Sequence, residues 1–166
     1  MRRSILLLLG LLAGLAAGCK PKEITPLQRK QGANFASEAN FAVTVRDYAR
    51  AESLLAQAVA VCPDAADYWV ALAAARRRLD NRAGSRDAYE QALKVSRAAF
   101  KRDPRDPQPL LQQVYLLAIL GHADDARQTL EKARTAYPES RNIRTFHESK
   151  ELDRMLGDPN FKELMP

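Results

Sequence analysis

Apolar positions along this chain fall into three regimes. Ile5 to Leu15 is almost unbroken hydrophobic sequence, residues 20–31 are polar with two prolines, and from Gly32 onward large apolar and small residues alternate with charge at helical spacing. The third regime repeats itself. Phe35 and Trp69, Ala51 and Ser85, Leu55 and Tyr89, and Ala58 and Ala92 are all 34 residues apart. A further copy follows at an interval of 41, pairing Trp69 with Leu110, Ser85 with Ala126, Tyr89 with Leu130 and Ala92 with Ala133. A fixed period of this length predicts stacked helical hairpins, each too small to bury its own apolar face. After Pro138, the spacing of Ile143, Phe146, Leu152, Met155 and Leu156 predicts a capping helix over 141–156, stopped by Gly157-Asp158-Pro159. A final turn over 160–165 offers Phe161 and Leu164 as anchors.

The longer second interval inserts seven residues between Ala92 and Leu110, in a stretch with no helix breaker before Pro104. Seven residues are two turns, so the second helix of the middle hairpin should be longer by about 10 Å with its apolar face still in phase. The overhang is expected to protrude with Phe100 near its tip, either as a docking element or packed on the next hairpin.

The first helix of the third hairpin, from Pro109 to Leu120, is apolar on nearly every face and must be covered all round. Composition agrees with an all-α fold, since alanine and leucine are prominent, glycine is sparse and aromatic residues are only 7% of the chain. At 166 residues the chain suits one compact domain once a leader is set aside.

That leader is residues 1–18: Arg2 and Arg3, an apolar run, then Ala16, Ala17 and Gly18 before Cys19. Ile5 to Gly18 is only 14 residues, whereas a membrane-spanning helix needs about 20. The reading is therefore export and cleavage rather than an uncleaved span. Leu15-Ala16-Ala17-Gly18-Cys19 resembles the lipobox of bacterial lipoproteins, with Ala16 where many members carry leucine. The resemblance implies lipidation of Cys19 and an anchored mature chain, with residues 19–31 as a tether. In that family an aspartate after the cysteine retains the protein at the inner membrane, and Lys20 stands there instead, which implies the outer membrane facing the periplasm. Loss of the leader lowers the formal net charge from +6 to about +4, a mild excess that gives no reason to invoke nucleic acid. With Cys19 lipidated, Cys62 has no partner for an intrachain disulfide and is expected to be a small buried hydrophobe.

The period and residue types resemble the tetratricopeptide repeat. Phe35, Ala39, Tyr48, Ala51, Leu55, Ala58 and Pro63 carry the resemblance in the first unit, Trp69, Ala73, Ser85, Tyr89 and Ala92 in the second, and Leu110, Gly121, Ala126, Leu130, Ala133 and Pro138 in the third. Val114 departs from the pattern, since the family prefers a small residue there, and the third pair of helices should pack more loosely. The resemblance implies a short right-handed α-solenoid of about three repeats, 32–65, 66–106 and 107–140, closed by 141–166. It also implies a concave groove lined by Asn40, Val43, Val70, Ala74, Arg77, Arg78, Leu111, Tyr115, Ala118 and Ile119. A partner's apolar segment fills that groove, or the capping helix folds against it. Of the residues that clamp peptides in the family's chaperone adaptors only Asn40 is present, with Ala36 and Ala71 at other clamp places.

Signs of chemistry are few. His122 and His147 are the only histidines and neither sits in a motif, and there is no phosphate loop, paired-cysteine motif or zinc-hydrolase signature, so neither catalytic residues nor a metal or other cofactor are expected. Asp124 and Asp125 read as favourable charges at a helix start, and Arg76-Arg77-Arg78 as a groove cluster for carboxylates or a solvated helix end. The expected function is that of a membrane-anchored scaffold which binds a protein or peptide and assists assembly of an envelope complex of the pilus or secretion-pore kind. The alternatives are a structural or regulatory lipoprotein that binds peptidoglycan or its enzymes and, more remotely, a hydrolase.

Overall fold

A computed structural model describes residues 23–166, which form nine helices and no strand. They are α1 (Pro26–Thr44), α2 (Tyr48–Val61), α3 (Ala66–Arg78), α4 (Arg82–Arg102), α5 (Gln108–Ile119), α6 (Ala123–Ala136), α7 (Arg141–Glu148), α8 (Glu151–Gly157) and α9 (Pro159–Leu164). The leader and Cys19 lie outside the described residues.

Helices pack mainly on their neighbours in sequence, α1 with α2, α3 with α4 and α5 with α6, and each pair on the next. The turn inside each pair recurs at the intervals of the sequence. Arg46, Asp80 and Gly121 take left-handed conformations, with φ of 60°, 58° and 85°, and the residue after each is the N-cap of the pair's second helix. Asp47 and Asn81 accept the backbone N–H of Arg50 and Gly84 at 3.1 and 3.0 Å. His122 makes no such bond, and that helix instead begins with Asp124 and Asp125, whose charges suit the positive helix end. The inserted residues lie within α4, which has 21 residues against 14 in α2 and 14 in α6.

Within each hairpin three small or compact residues sit where the helices cross: Ala39, Ala51 and Ala58, then Ala73, Ser85 and Ala92, then Val114, Ala126 and Ala133. All nine are 0% exposed. Absence of bulk lets the backbones approach, and Leu55, Tyr89 and Leu130 fill the space alongside. Val114, in place of a small residue, is accommodated in the third pair without exposure. Gly32 serves the same end between α1 and α2, since a Cβ there would lie 2.8 Å from Cys62 Sγ. Cys62 itself is buried and unpaired, its thiol directed at the Gln28 carbonyl at 3.3 Å.

Three sequence expectations need correction. The tether does not extend to residue 31, because α1 starts at Pro26. The side chain of Thr25 accepts the Gln28 amide at 3.2 Å and that of Gln28 accepts the Thr25 amide at 2.9 Å, a capping box that makes Pro26 a helix-starting residue. The first turn is then clamped by a two-pronged ion pair from Arg29 to Asp64, at 2.7 and 2.5 Å. The capping helix is not continuous either, since Lys150, with φ of 51°, breaks it into α7 and α8. That reversal lets α7 lie on α6 while α8 turns back onto α5, so that Ile143 and Leu152 enter different clusters. Of the two terminal anchors, Phe161 is buried but Leu164 is 41% exposed.

Ser85 Oγ is the one described buried side-chain oxygen or nitrogen with no hydrogen-bond partner. Its counterparts at the same place in the other hairpins are Ala51 and Ala126. Ser85→Ala should therefore stabilise the fold by about 1 kcal/mol, read as a higher urea midpoint with an unchanged slope. Arg29 holds the Asp64 carboxyl below the usual carboxylate range, so its contribution is present above that range and lost as pH falls through the depressed value. Acid titration should accordingly find Asp64→Asn less stable than wild type at neutral pH, with the gap closing on acidification.

Candidate binding groove

The ten residues expected to line the groove divide into four groups. Ala118 and Ile119 are 0% and 1% exposed and belong to the main core, where a partner cannot reach them. They were assigned by analogy with an open array, but α8 and α9 pack on α5, and Leu152 and Phe161 join the same cluster. Val70 and Leu111 are half-buried against that core. Asn40, Val43, Ala74 and Arg78 remain exposed, with Arg78 placed 5.9 Å above the ring of Tyr48.

Arg77 and Tyr115 have acquired an internal ligand. The guanidinium of Arg77 donates to the main-chain carbonyls of Glu163 and Met165 at 2.6 and 3.4 Å. The ring of Tyr115 meets that of Phe161 edge-on, centroids 6.1 Å apart. Arg86 donates to the Pro166 carbonyl at 3.3 Å. The segment 159–166 thus lies across α3 and α5, held by an aromatic anchor and by cations on its free carbonyls. Those carbonyls end a helix, where a cation meets both lone pairs and the negative dipole. Beneath them Tyr89 is 4% exposed. Burial pushes its phenol up to about 12, Tyr115 adding to the shift and Arg77 opposing it.

The other two arginines of the trio are separately engaged or exposed. Arg76 pairs with Glu52 at 3.1 Å and donates to the Gly84 carbonyl at 3.2 Å, tying α3 to α2 and to the start of α4. The trio is therefore not one carboxylate receptor. Phe100 does not protrude. Its ring packs edge-on against Tyr137 at 6.4 Å, in a small cluster with Leu110, Ala133 and Ile143. The α4 extension follows α5, bonded through Ser96 Oγ to the Gln112 side chain at 2.5 Å and through the Ser96 carbonyl to Gln113 at 3.4 Å.

No family model and no curated protein matches the chain.

The surface is open at α1. Phe41 is 63% exposed, whereas its counterparts one and two units on, Ala75 and Leu116, are 3% and 0% exposed. Val45 is 58% exposed; of its counterparts Leu79 is 44% exposed and Leu120 is buried at 4%. A preceding pair of helices packs on α3 and on α5, covering Ala75 and Leu116, and α1 has no described pair before it. Periodic comparison of Phe41 with Ala75 and Leu116 was available in the sequence and would have identified the open face. Among the described residues no cluster of three or more metal-ligating side chains occurs, and no helix is long and apolar enough to cross a membrane. His147 lies 3.2 Å from Glu131 on the surface.

The contacts of 159–166 generate a prediction. Arg77→Ala combined with Phe161→Ala should free α9, seen as faster amide hydrogen exchange over 159–164 while α1 to α4 keep their protection. Loss of protection throughout would show that the segment is integral to the core.

Proposed function

We propose that this protein is a lipid-anchored interaction module, a short tetratricopeptide solenoid of three repeats held on a membrane through Cys19, which docks a helix of a partner protein on the open face of α1. The single observation that carries the reading is the exposure of Phe41 at a place that is covered in both later hairpins. Because a helical pair covers the equivalent place inside the chain, the partner surface that fits is a helix with an apolar stripe. Val43 and Val45, 42% and 58% exposed, extend the apolar character of this helix end.

The tetratricopeptide assignment is supported by left-handed turn residues, N-caps and small crossing residues that all recur at the spacing of the sequence repeat. An anchored solenoid with one end closed by its own tail and the other open suits a scaffold that adds one neighbour, as in assembly of an envelope complex. The location proposed is the periplasmic side of the outer membrane, following the lipobox resemblance and Lys20. Nothing in this arrangement calls for catalysis, a cofactor or nucleic acid.

Two measurements test it. Incorporation of labelled fatty acid into the chain should be lost in Cys19→Ser. A photo-crosslinking residue placed at position 41 or 45 in cells should give an adduct of one defined mass, absent when placed at the exposed Ala83 on α4. Adducts of equal yield at all three positions, or none at 41 and 45, would remove the α1 face from consideration.

A further inference from the structure

The seven-residue extension of α4 buries Ser96 and Phe100 on one side and carries Lys94, Arg97, Lys101 and Arg102 on the other. At 100° per residue, residues 94, 97, 98, 101 and 102 fall within an arc of about 140°. All four cations are exposed, and none pairs with an acid among the described residues. No acid interrupts the stretch between Glu90 and Asp103.

Beside this face is a cleft of about 350 Å³, floored by Trp69, Val95, Ala98 and Ala99 and rimmed by Lys94 and Arg102. Trp69 donates its indole N–H to the Pro63 carbonyl at 2.9 Å, which fixes the ring at the cleft edge. The acids nearby are already engaged: Asp64 by Arg29, Asp67 by Gln112 at 2.7 Å, and Asp103 by Arg105 at 3.1 Å.

Position relative to the tether decides what this face meets. Asp64 lines the cleft and also clamps Arg29 in the first turn of α1, so the chain enters the fold within one ion pair of the cationic face. Cys19 precedes Pro26 by seven residues, a reach of at most about 25 Å when fully extended. Lys20 and Lys22 lie in that stretch and add to the same charge.

We infer that the edge formed by Lys94, Arg97, Lys101 and Arg102, with the Trp69 cleft beside it, rests on the anionic headgroups of the membrane that holds the chain. The inference rests on the reading of Cys19 as the lipid anchor. Contact at this edge fixes the orientation of the solenoid on the membrane, which attachment at the single point of Cys19 does not. Attraction of each cation to an anionic surface is worth about five-fold in affinity and is screened by salt.

Trp69 is the only tryptophan in the chain, so its fluorescence reports this edge alone. The lipidated chain is reconstituted in phosphatidylcholine vesicles carrying a headgroup spin label, with or without phosphatidylglycerol, and attachment is checked by flotation. Quenching of Trp69 should be at least two-fold greater with phosphatidylglycerol and should fall back in high salt. Lys94→Glu with Lys101→Glu should abolish the difference, while Arg50→Glu with Arg82→Glu, at the far ends of α2 and α4, should leave it intact. Should the first pair disturb the helix by circular dichroism, Lys94→Gln with Lys101→Gln is expected to lower the difference in the same direction.

Equal quenching in both lipids on vesicles that carry the protein overturns the membrane-facing edge but spares the anchor, and directs the cations to an acidic protein surface instead. A chain that floats with neither vesicle overturns both readings.

Discussion

Everything in this structure depends on how closely two helices of a hairpin can approach. Nine crossing positions are fully excluded from solvent, and eight of them are alanine or serine. An alanine loses little side-chain entropy and adds almost no bulk, so the backbones meet and the larger Leu55, Tyr89 and Leu130 pack beside the crossing rather than in it. Val114, with two more methyl groups than alanine, is the one larger residue among the nine. The short polar turns follow from the same constraint: helices this close need a tight reversal, supplied by a left-handed residue and an N-cap. Glycine occupies the left-handed position in only one of the three turns, so the first two hold a strained residue that the surrounding packing keeps in place.

Stacking hairpins leaves two ends, and the chain treats them differently. At the C-terminal end α7 covers α6, α8 doubles back over α5, and the segment 159–166 lays a phenylalanine and three main-chain carbonyls against Tyr115, Arg77 and Arg86. At the N-terminal end Phe41 and Val45 face outward. An apolar residue left bare where its equivalents are buried signals an interface more strongly than a scattered surface hydrophobe. The asymmetry in covering therefore gives the described residues a direction, from an end with a bare apolar residue to one closed by the chain's own tail.

How much of this was legible in the sequence depends on the range of the interactions involved. The hairpins, their turns and the lengthening of α4 were readable because each rests on local spacing: 34 residues, then 41. The start of α1 was also local, in Thr25-Pro26-Leu27-Gln28, but the prolines of the region drew it into a tether. Lys150 carries no composition signal of a break, and it adopts its left-handed form because α7 and α8 have separate surfaces to cover. Ala118 and Ile119 were misplaced for the same reason, since what lies over a helix is set by residues some 40 positions away. The roles of Arg77 and Phe100 hung on partners 86 and 37 positions away in the chain, Glu163 and Tyr137, and no periodicity links them.

The central claim is that close helix crossings, more than apolar area, determine this fold. Ala73 and Ala74 are neighbours on α3 with the same helix propensity, the first fully buried at a crossing and the second exposed. Urea unfolding of Ala73→Leu and Ala74→Leu compares them directly. The account predicts a loss of at least 1–3 kcal/mol for the first, roughly the cost of overpacking a dense core, and a change within about 0.5 kcal/mol for the second. Equal stability of the two variants would contradict it, since a crossing that accommodates leucine without cost cannot be what holds the hairpins together.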